Sequence, residues 1–225
     1  MTHEQWQAIF LSVQVAAASL LLSFPVAVVV AAWLSKSRGA VRFMLDTAVN
    51  LPLVLPPVVT GYLLLLLFGR NGLMGGFLFR TLGLEFVFDF RGAVLAAAIV
   101  SFPLMVRAIR LSFDAVNPVL IAAAKTLGAS PLKTFWTIKL PLSTGGLAAG
   151  AMLAFARSLG EFGATVMVAG SIAGETKTIP LFIYEQVQTP GGTAACWPVV
   201  AISILIAMVA LLLASKFETN PGAQK

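Results

Sequence analysis

Charge is scarce in this chain. Of its 225 residues, 11% are charged and 59% hydrophobic, whereas ordinary soluble domains are about 25% charged. A soluble fold could not bury that much apolar surface, so the class is an all-α integral membrane protein. Cys196 is the only cysteine and His3 the only histidine. That excludes an intrachain disulfide and a Cys/His metal cluster, and neither a metal site nor a bound cofactor is expected. The G-x-x-x-x-G-K-[ST] pattern is missing, so the chain does not bind ATP in the P-loop manner. H-E-x-x-H, a G-x-S-x-G elbow and a Ser with a His partner are missing too, and His3 at the terminus reads as solvent-exposed. The chain is therefore not expected to be an enzyme. No basic patch is interleaved with aromatics on a soluble domain, so no nucleic-acid partner is expected. The formal charge of +6 instead reports cationic loops on one side of a bilayer.

What is present is a series of long apolar runs. The stretch from Gln5 to Ser35 carries no charge. It is too long for the core of a cleavable signal and long enough to span. Five spans are expected, at about 9–34, 45–68, 92–113, 140–160 and 197–215, making 1–225 a single transmembrane domain. Lys36, Arg38, Arg42, Arg107, Arg110, Lys125, Lys133, Lys139, Lys216 and Lys225 fall on one side of this arrangement. Arg70, Arg80, Arg91 and Lys177 fall on the other. The positive-inside rule makes the first side cytoplasmic, with the N-terminus out and the C-terminus in. A sixth crossing built after Gly160 would place Lys216 outside and is disfavoured. The outer loops are 69–91, with a surface-lying helix, and 171–195, with a short helix over 181–188.

One segment, 117–141, is amphipathic, basic and well punctuated. Asn117 is suited to cap a helix and Pro118 to open it. Gly128 can end that helix, and Ser130-Pro131 repeats the start signal. A helix–Gly–helix element is expected between two spans, with a face suited to docking. The alternative is a plain amphipathic cytoplasmic loop.

Two places inside the spans break the apolar pattern. Pro52, Pro56, Pro57 and Gly61 interrupt the second span, with Thr60 among them. Each proline removes a backbone donor, and freed carbonyls at membrane depth are tolerated where buried in protein or lining a wet cavity. A pathway-lining role and a packing kink both remain open. In the fourth span Gly145, Gly146, Ala149, Gly150 and Ala154 offer small faces for close helix contact. Arg157 and Glu161 follow, four residues apart, so they can pair on one helical turn. A helix break at Gly160 or Gly163 is expected. Intramembrane charges usually face the bundle interior or a cavity. The stretch with Arg157, Ser158, Glu161, Gly163 and Thr165 is thus either a gate or a pair that locks helices together.

These residues carry a resemblance. Ala123-Ala124, three residues, Gly128, nine residues, then Ile138-x-Leu140-Pro141 resembles the EAA loop of ABC importer permeases. The pattern departs at Ala122, where the family carries Glu (in some members one position earlier, here Ile121). LPLVLPPVVTGYLLLLLFGRNG from Leu51, RGAVLAAAIVSFPLMVRAIRLSFDAV from Arg91, AFARSLGEFGATVMVAG from Ala154 and GETKTIPLFIYEQVQTPGG from Gly174 extend the likeness over nearly the whole chain. They are similar to the molybdate permease subunits of bacterial ABC importers, within the molybdate and sulfate branch. The resemblance implies a type I permease of the inner membrane that works as a homodimer. It implies a cytoplasmic ABC ATPase dimer docked on Ala122, Ala123, Ala124, Gly128, Ala129, Ile138, Leu140 and Pro141, and a periplasmic molybdate-binding protein on the opposite side. It also implies a pathway near Pro56, Pro57, Thr60, Gly61 and the stretch from Arg157 to Thr165. A sulfate or thiosulfate permease is the near alternative, and a secondary transporter or channel the distant one.

Overall fold

The computed structural model describes residues 1–218, and every regular element among them is helical. The first helix, α1 (His3–Lys36), starts on a capping box. Thr2 Oγ1 accepts from Gln5 N at 3.4 Å, and Gln5 Oε1 accepts from Thr2 N at 2.7 Å. At 1.5 Å per residue it is about 50 Å long, enough to cross a bilayer and emerge. Pro25 sits inside it without ending it.

The buried face of α1 is a seam of small residues spaced three or four apart: Ser12, Ala16, Ser19, Ser23, Ala27 and Ala31. Against it lies α5 (Phe90–Asp114), whose Ala93, Ala96 and Ala97 are fully buried. In lipid, apolar surface alone does not drive helices together, and small residues let backbones approach closely enough for van der Waals packing. The two helices form the spine of the bundle.

The region expected as one span, 45–68, is two helices. α2 (Gly39–Val54) and α3 (Pro57–Phe68) meet at a bend of 111°. Leu55 and Pro56 each precede a proline, which disfavours the helical region, and both are extended, with ψ of 141° and 133°. α4 (Leu73–Leu82) follows and ends on Gly83 at φ 64°.

After α5 come α6 (Pro118–Thr126), α7 (Pro131–Thr134), a π-helical turn (Phe135–Lys139) and α8 (Leu140–Leu142). The chain then bends by 68° at Ser143 into α9 (Thr144–Leu159), so the region expected as a span from 140 holds one turn before the bend and a straight helix after it. Gly146 and Gly150 let α9 lie on α5: a Cβ on Gly146 would come within 2.2 Å of Ser112 Cβ. α10 (Gly163–Ala169) continues past a break, and α11 (Ile179–Val187) and α12 (Thr193–Glu218) complete the order.

Long-range hydrogen bonds fix which ends lie together. Gln5 Nε2 donates to Ala195 O at 2.9 Å, and Ile179 N donates to Ser12 Oγ at 2.7 Å, so α1, α11 and α12 start at one end. At the other end Lys139 Nζ donates to Ser35 Oγ at 2.6 Å, and a Cβ on Gly145 would lie 2.7 Å from Phe217 O. This second end carries Lys36, Arg110 and Lys139, cations that the charge pattern assigns to the cytoplasm. Lys225, counted on the same side, lies outside the described residues. Among the described residues three helices are long and apolar enough to cross singly. Counting each bent pair as one span gives up to five.

Candidate functional site: a mid-bundle break and a cationic elbow

The α9–α10 break falls at Gly160–Phe162. Breaking a helix in lipid frees backbone donors that must find partners. Glu161 supplies one: its Oε1 accepts from Ala164 N at 2.8 Å, capping α10. Its other oxygen, Oε2, lies 2.9 Å from Arg157 Nη1. The Glu161 side chain is 2% exposed, and burying a carboxyl group is costly unless it is paired and hydrogen-bonded, as it is here on both oxygens. Ser158, buried beside them, has its Oγ 3.2 Å from Ser19 Oγ of α1.

The same break receives the proline hinge. A Cβ on Gly163 would lie 2.9 Å from Pro57 Cβ and 3.2 Å from Val58 N. One on Gly61 would lie 2.8 Å from Ala164 Cα and from Ala164 O. α3 and α10 therefore run side by side at backbone contact. Thr165 is 1% exposed on this contact helix. Thr60 is also buried, and its Oγ1 has no hydrogen-bond partner among the described residues. Pro57, Thr60 and Gly61 on α3, Arg157 and Ser158 at the end of α9, Glu161 in the break, and Gly163 and Thr165 on α10 thus come together around one level, with Pro56 as the N-cap of α3.

An apolar cavity of about 720 Å³ opens beside the break, lined by Gly160, Phe162, Tyr184 and Ile204. It offers no cation to an anion. A smaller space of about 430 Å³ at the cationic end is lined by Arg42, Asp46, Asn50, Arg107, Arg110 and Asp114.

The elbow is built from local signals. Asn117 Oδ1 accepts from Val119 N at 2.9 Å, and Ser130 Oγ accepts from Lys133 N at 3.2 Å. Between them α6 closes in a Schellman motif. Ala129 N donates to Ala124 O at 2.9 Å and Gly128 N to Lys125 O at 3.0 Å, with Gly128 at φ 80°. Ala122 and Ala123 are exposed, Ala124 and Ala129 half-buried. Leu127 is 87% exposed and Leu132 69%, an apolar surface at the charged end of the bundle. Ile138 and Leu140 turn half inward, and Pro141 is exposed.

The elbow is also tied to the bundle. Burial pushes the Lys139 ammonium below its ordinary pKa; Asp114 opposes that shift and Lys36 adds to it. Ser112 and Ser143 exchange hydroxyl-to-carbonyl bonds of 3.3 Å each. The residues missed in the sequence are Ser19, Ser35, Asp46 and Asp114. The i,i+4 spacing of Arg110 and Asp114 and the lone acid Asp46 beside a span were the available signals.

Helices that break at one level, with an exposed apolar elbow at the cationic end, are the architecture of a multi-pass helical membrane protein of the permease kind. The chain belongs to the binding-protein-dependent transport system inner membrane components, whose family pattern matches residues 11–219. Members are permeases of the inner membrane that work with a separate ATPase and a substrate-binding protein. The chain is 49% identical over 213 residues to the molybdenum transport system permease protein ModB of Escherichia coli K12, covering 95% of this chain and 93% of that one. It is 43% identical to ModB of Mycobacterium tuberculosis, covering 94% and 78%. To the sulfate transport system permease protein CysW of Synechocystis it is 34% identical, covering 87% and 70%. Among solved structures, a bacterial alginate ABC transporter matches with a TM-score of 0.75 at 18% identity, covering 97% of this chain and 80% of that one. The MetNI methionine ABC transporter matches at 0.71 with 14% identity, covering 96% and 99%. The fold is that of a type I ABC importer permease.

Proposed function

We propose that this chain is the membrane subunit of an ATP-driven molybdate importer, working as a homodimer with a cytoplasmic ATPase dimer and a periplasmic molybdate-binding protein. The observation that carries this is the elbow: two short capped helices, joined at Gly128, that hold exposed leucines at the cationic end, in a chain similar to ModB over nearly its full length. Exposed apolar surface of this kind marks a docking face.

Molybdate is a tetrahedral dianion that the bilayer core rejects. A transient hydrated path is needed, and in a two-fold dimer it runs between the subunits. ATP binding closes the ATPase dimer and draws the two elbows together. The movement enters α9 through Leu140 and Pro141 and reaches the level where α10 meets α3. Thr60, a buried hydroxyl with no partner among the described residues, supports a role for that level in the path. Selectivity resides mostly in the binding protein, because a path that held the anion tightly would not release it.

The test is uptake of labelled molybdate into proteoliposomes holding the complete transporter. Uptake should require ATP and resist excess sulfate. Competition by sulfate would favour the sulfate permeases instead. Gly128→Asp should abolish uptake by disturbing the elbow. Normal uptake by that variant, at a normal membrane level, would overturn the docking role.

A further inference from the structure

We propose that a chain of polar side chains fastens the elbow to the proline hinge, making α2 a second coupling arm beside α9, with Asp114 and Asp46 as positioning residues for transport. Lys139 Nζ donates to Ser35 Oγ at 2.6 Å, and Ser35 Oγ donates to Asp114 Oδ1 at 2.6 Å. Asp114 Oδ2 lies 3.6 Å from Arg110 Nε, and Arg110 Nη1 donates to Asp46 Oδ1 at 2.8 Å. The elbow, the ends of α1 and α5, and α2 are joined in that order.

Three observations separate this chain from an ordinary surface cluster, whose ion pairs are worth little. Its elbow end is enclosed: Lys139 is 8% exposed and its Nζ stands 5.2 Å from the Phe113 ring centroid. Its far end holds a lightly packed helix: no residue of α2 is fully buried within the subunit, and only Leu45 and Val49 pack, half-buried, on the core formed by α1, α5 and α9. And α2 leads through Leu55 and Pro56 into α3, whose Pro57 touches Gly163. Movement of the elbow therefore reaches the Pro57–Gly163 contact from both sides. One route runs covalently through Pro141, α9 and the Arg157–Glu161 pair. The other runs through Ser35, Asp114, Arg110 and Asp46, then along α2.

The links of the second route act in series, and a series link gives a sharp signature. Breaking any one interrupts it, and breaking a second adds nothing. The proposal rests on the elbow docking on an ATPase. The experiment reconstitutes the complete transporter with Ser35→Ala, Asp46→Asn and the double variant, and measures molybdate transported per ATP hydrolysed. Each single variant should lower that ratio about threefold and the double no further. Ser35→Thr, which keeps the hydroxyl, should restore it. An unchanged ratio in assembled single variants, or a double whose loss is the product of the two singles, overturns the relay. Gly128→Asp in the same assay separates the two ideas. If it abolishes uptake while the relay variants keep the normal ratio, docking stands and the relay falls. If it transports normally, docking falls and the relay with it.

Discussion

The helical path breaks at Leu55–Pro56 between α2 and α3 and at Gly160–Phe162 between α9 and α10, and the two breaks lie against each other where Pro57 meets Gly163. Both helices face the same problem, an interrupted ladder in a medium that supplies no hydrogen bonds. The proline break handles it by subtraction. Pro56 and Pro57 carry no donor, and Pro56 O accepts from both Val59 N and Thr60 N. The glycine break handles it by addition, bringing the Glu161 carboxylate to Ala164 N and balancing it with Arg157. A hinge made by removing donors strands no N–H when it flexes, and leaves only the carbonyls opposite the prolines to find partners in protein or water. A hinge held by a buried carboxylate is stiff as long as both partners stay in place.

The largest effect should therefore come from the carboxylate. Glu161→Ala removes the partner of Arg157, which is 30% exposed, and leaves the buried Ala164 N–H unsatisfied, a loss of about 1–3 kcal/mol for the stranded donor with a further cost for the lost pair. The thermal midpoint of the purified complex should fall and uptake should be lost. Glu161→Gln keeps an acceptor for Ala164 N but removes the charge, so its midpoint should lie between the other two. Arg157→Ala should slow transport or uncouple ATP hydrolysis from it. Wild-type midpoints in all three variants would show that the break needs no charge.

Next in size is the contact between the two hinges. Gly61→Val places a Cβ 2.8 Å from the Ala164 backbone and from Met167 Cβ. Backbone cannot step aside as a flexible side chain can, and overpacking of this kind costs about 1–3 kcal/mol. α3 should be pushed off α10, with uptake reduced at a nearly normal membrane level. Unchanged uptake would mean that the two hinges work independently. The same separation can be read as a longer spin-label distance between positions on α3 and α10.

How much of this was legible in the sequence depended on whether a signal was local. The elbow could be read almost residue by residue, because Asn117, Pro118, Gly128, Ser130 and Pro131 each act on their own turn of helix. The α9–α10 break was legible because a charged pair within an apolar run has few harmless explanations. The 111° bend was not, since prolines at 52, 56 and 57 predict a disturbed span but not its direction, which tertiary contacts decide. The bend at Ser143 was hidden for a related reason. Pro141 looked like the start of the span, but a proline fits the first turn of a helix, and the turn comes two residues later, where Ser112 and Ser143 bind each other. The polar chain from Ser35 to Asp46 joins residues far apart in sequence, so it became visible only once the helix ends had been brought together.

The mid-bundle pair has a partly exposed counterpart before and on α11 (side chains 18% and 37% exposed), and it should give the smallest effect. Lys177 Nζ lies 2.7 Å from Glu185 Oε2, and Ser171 Oγ also donates to Glu185. Burial alone would raise the Glu185 pKa, but the bonds from Lys177 and Ser171 outweigh it, and the pKa lies below the ordinary 4.5. A carboxylate with a lowered pKa in the folded state stabilises that state above its unfolded pKa, and the contribution is lost as pH falls through the folded value. The midpoint difference between the wild type and Lys177→Met should thus be full at neutral pH and shrink only below about 4.5, the ordinary glutamate value. A difference that stayed constant into acid would show that Lys177 acts by packing alone and that the charge of Glu185 does not support the fold.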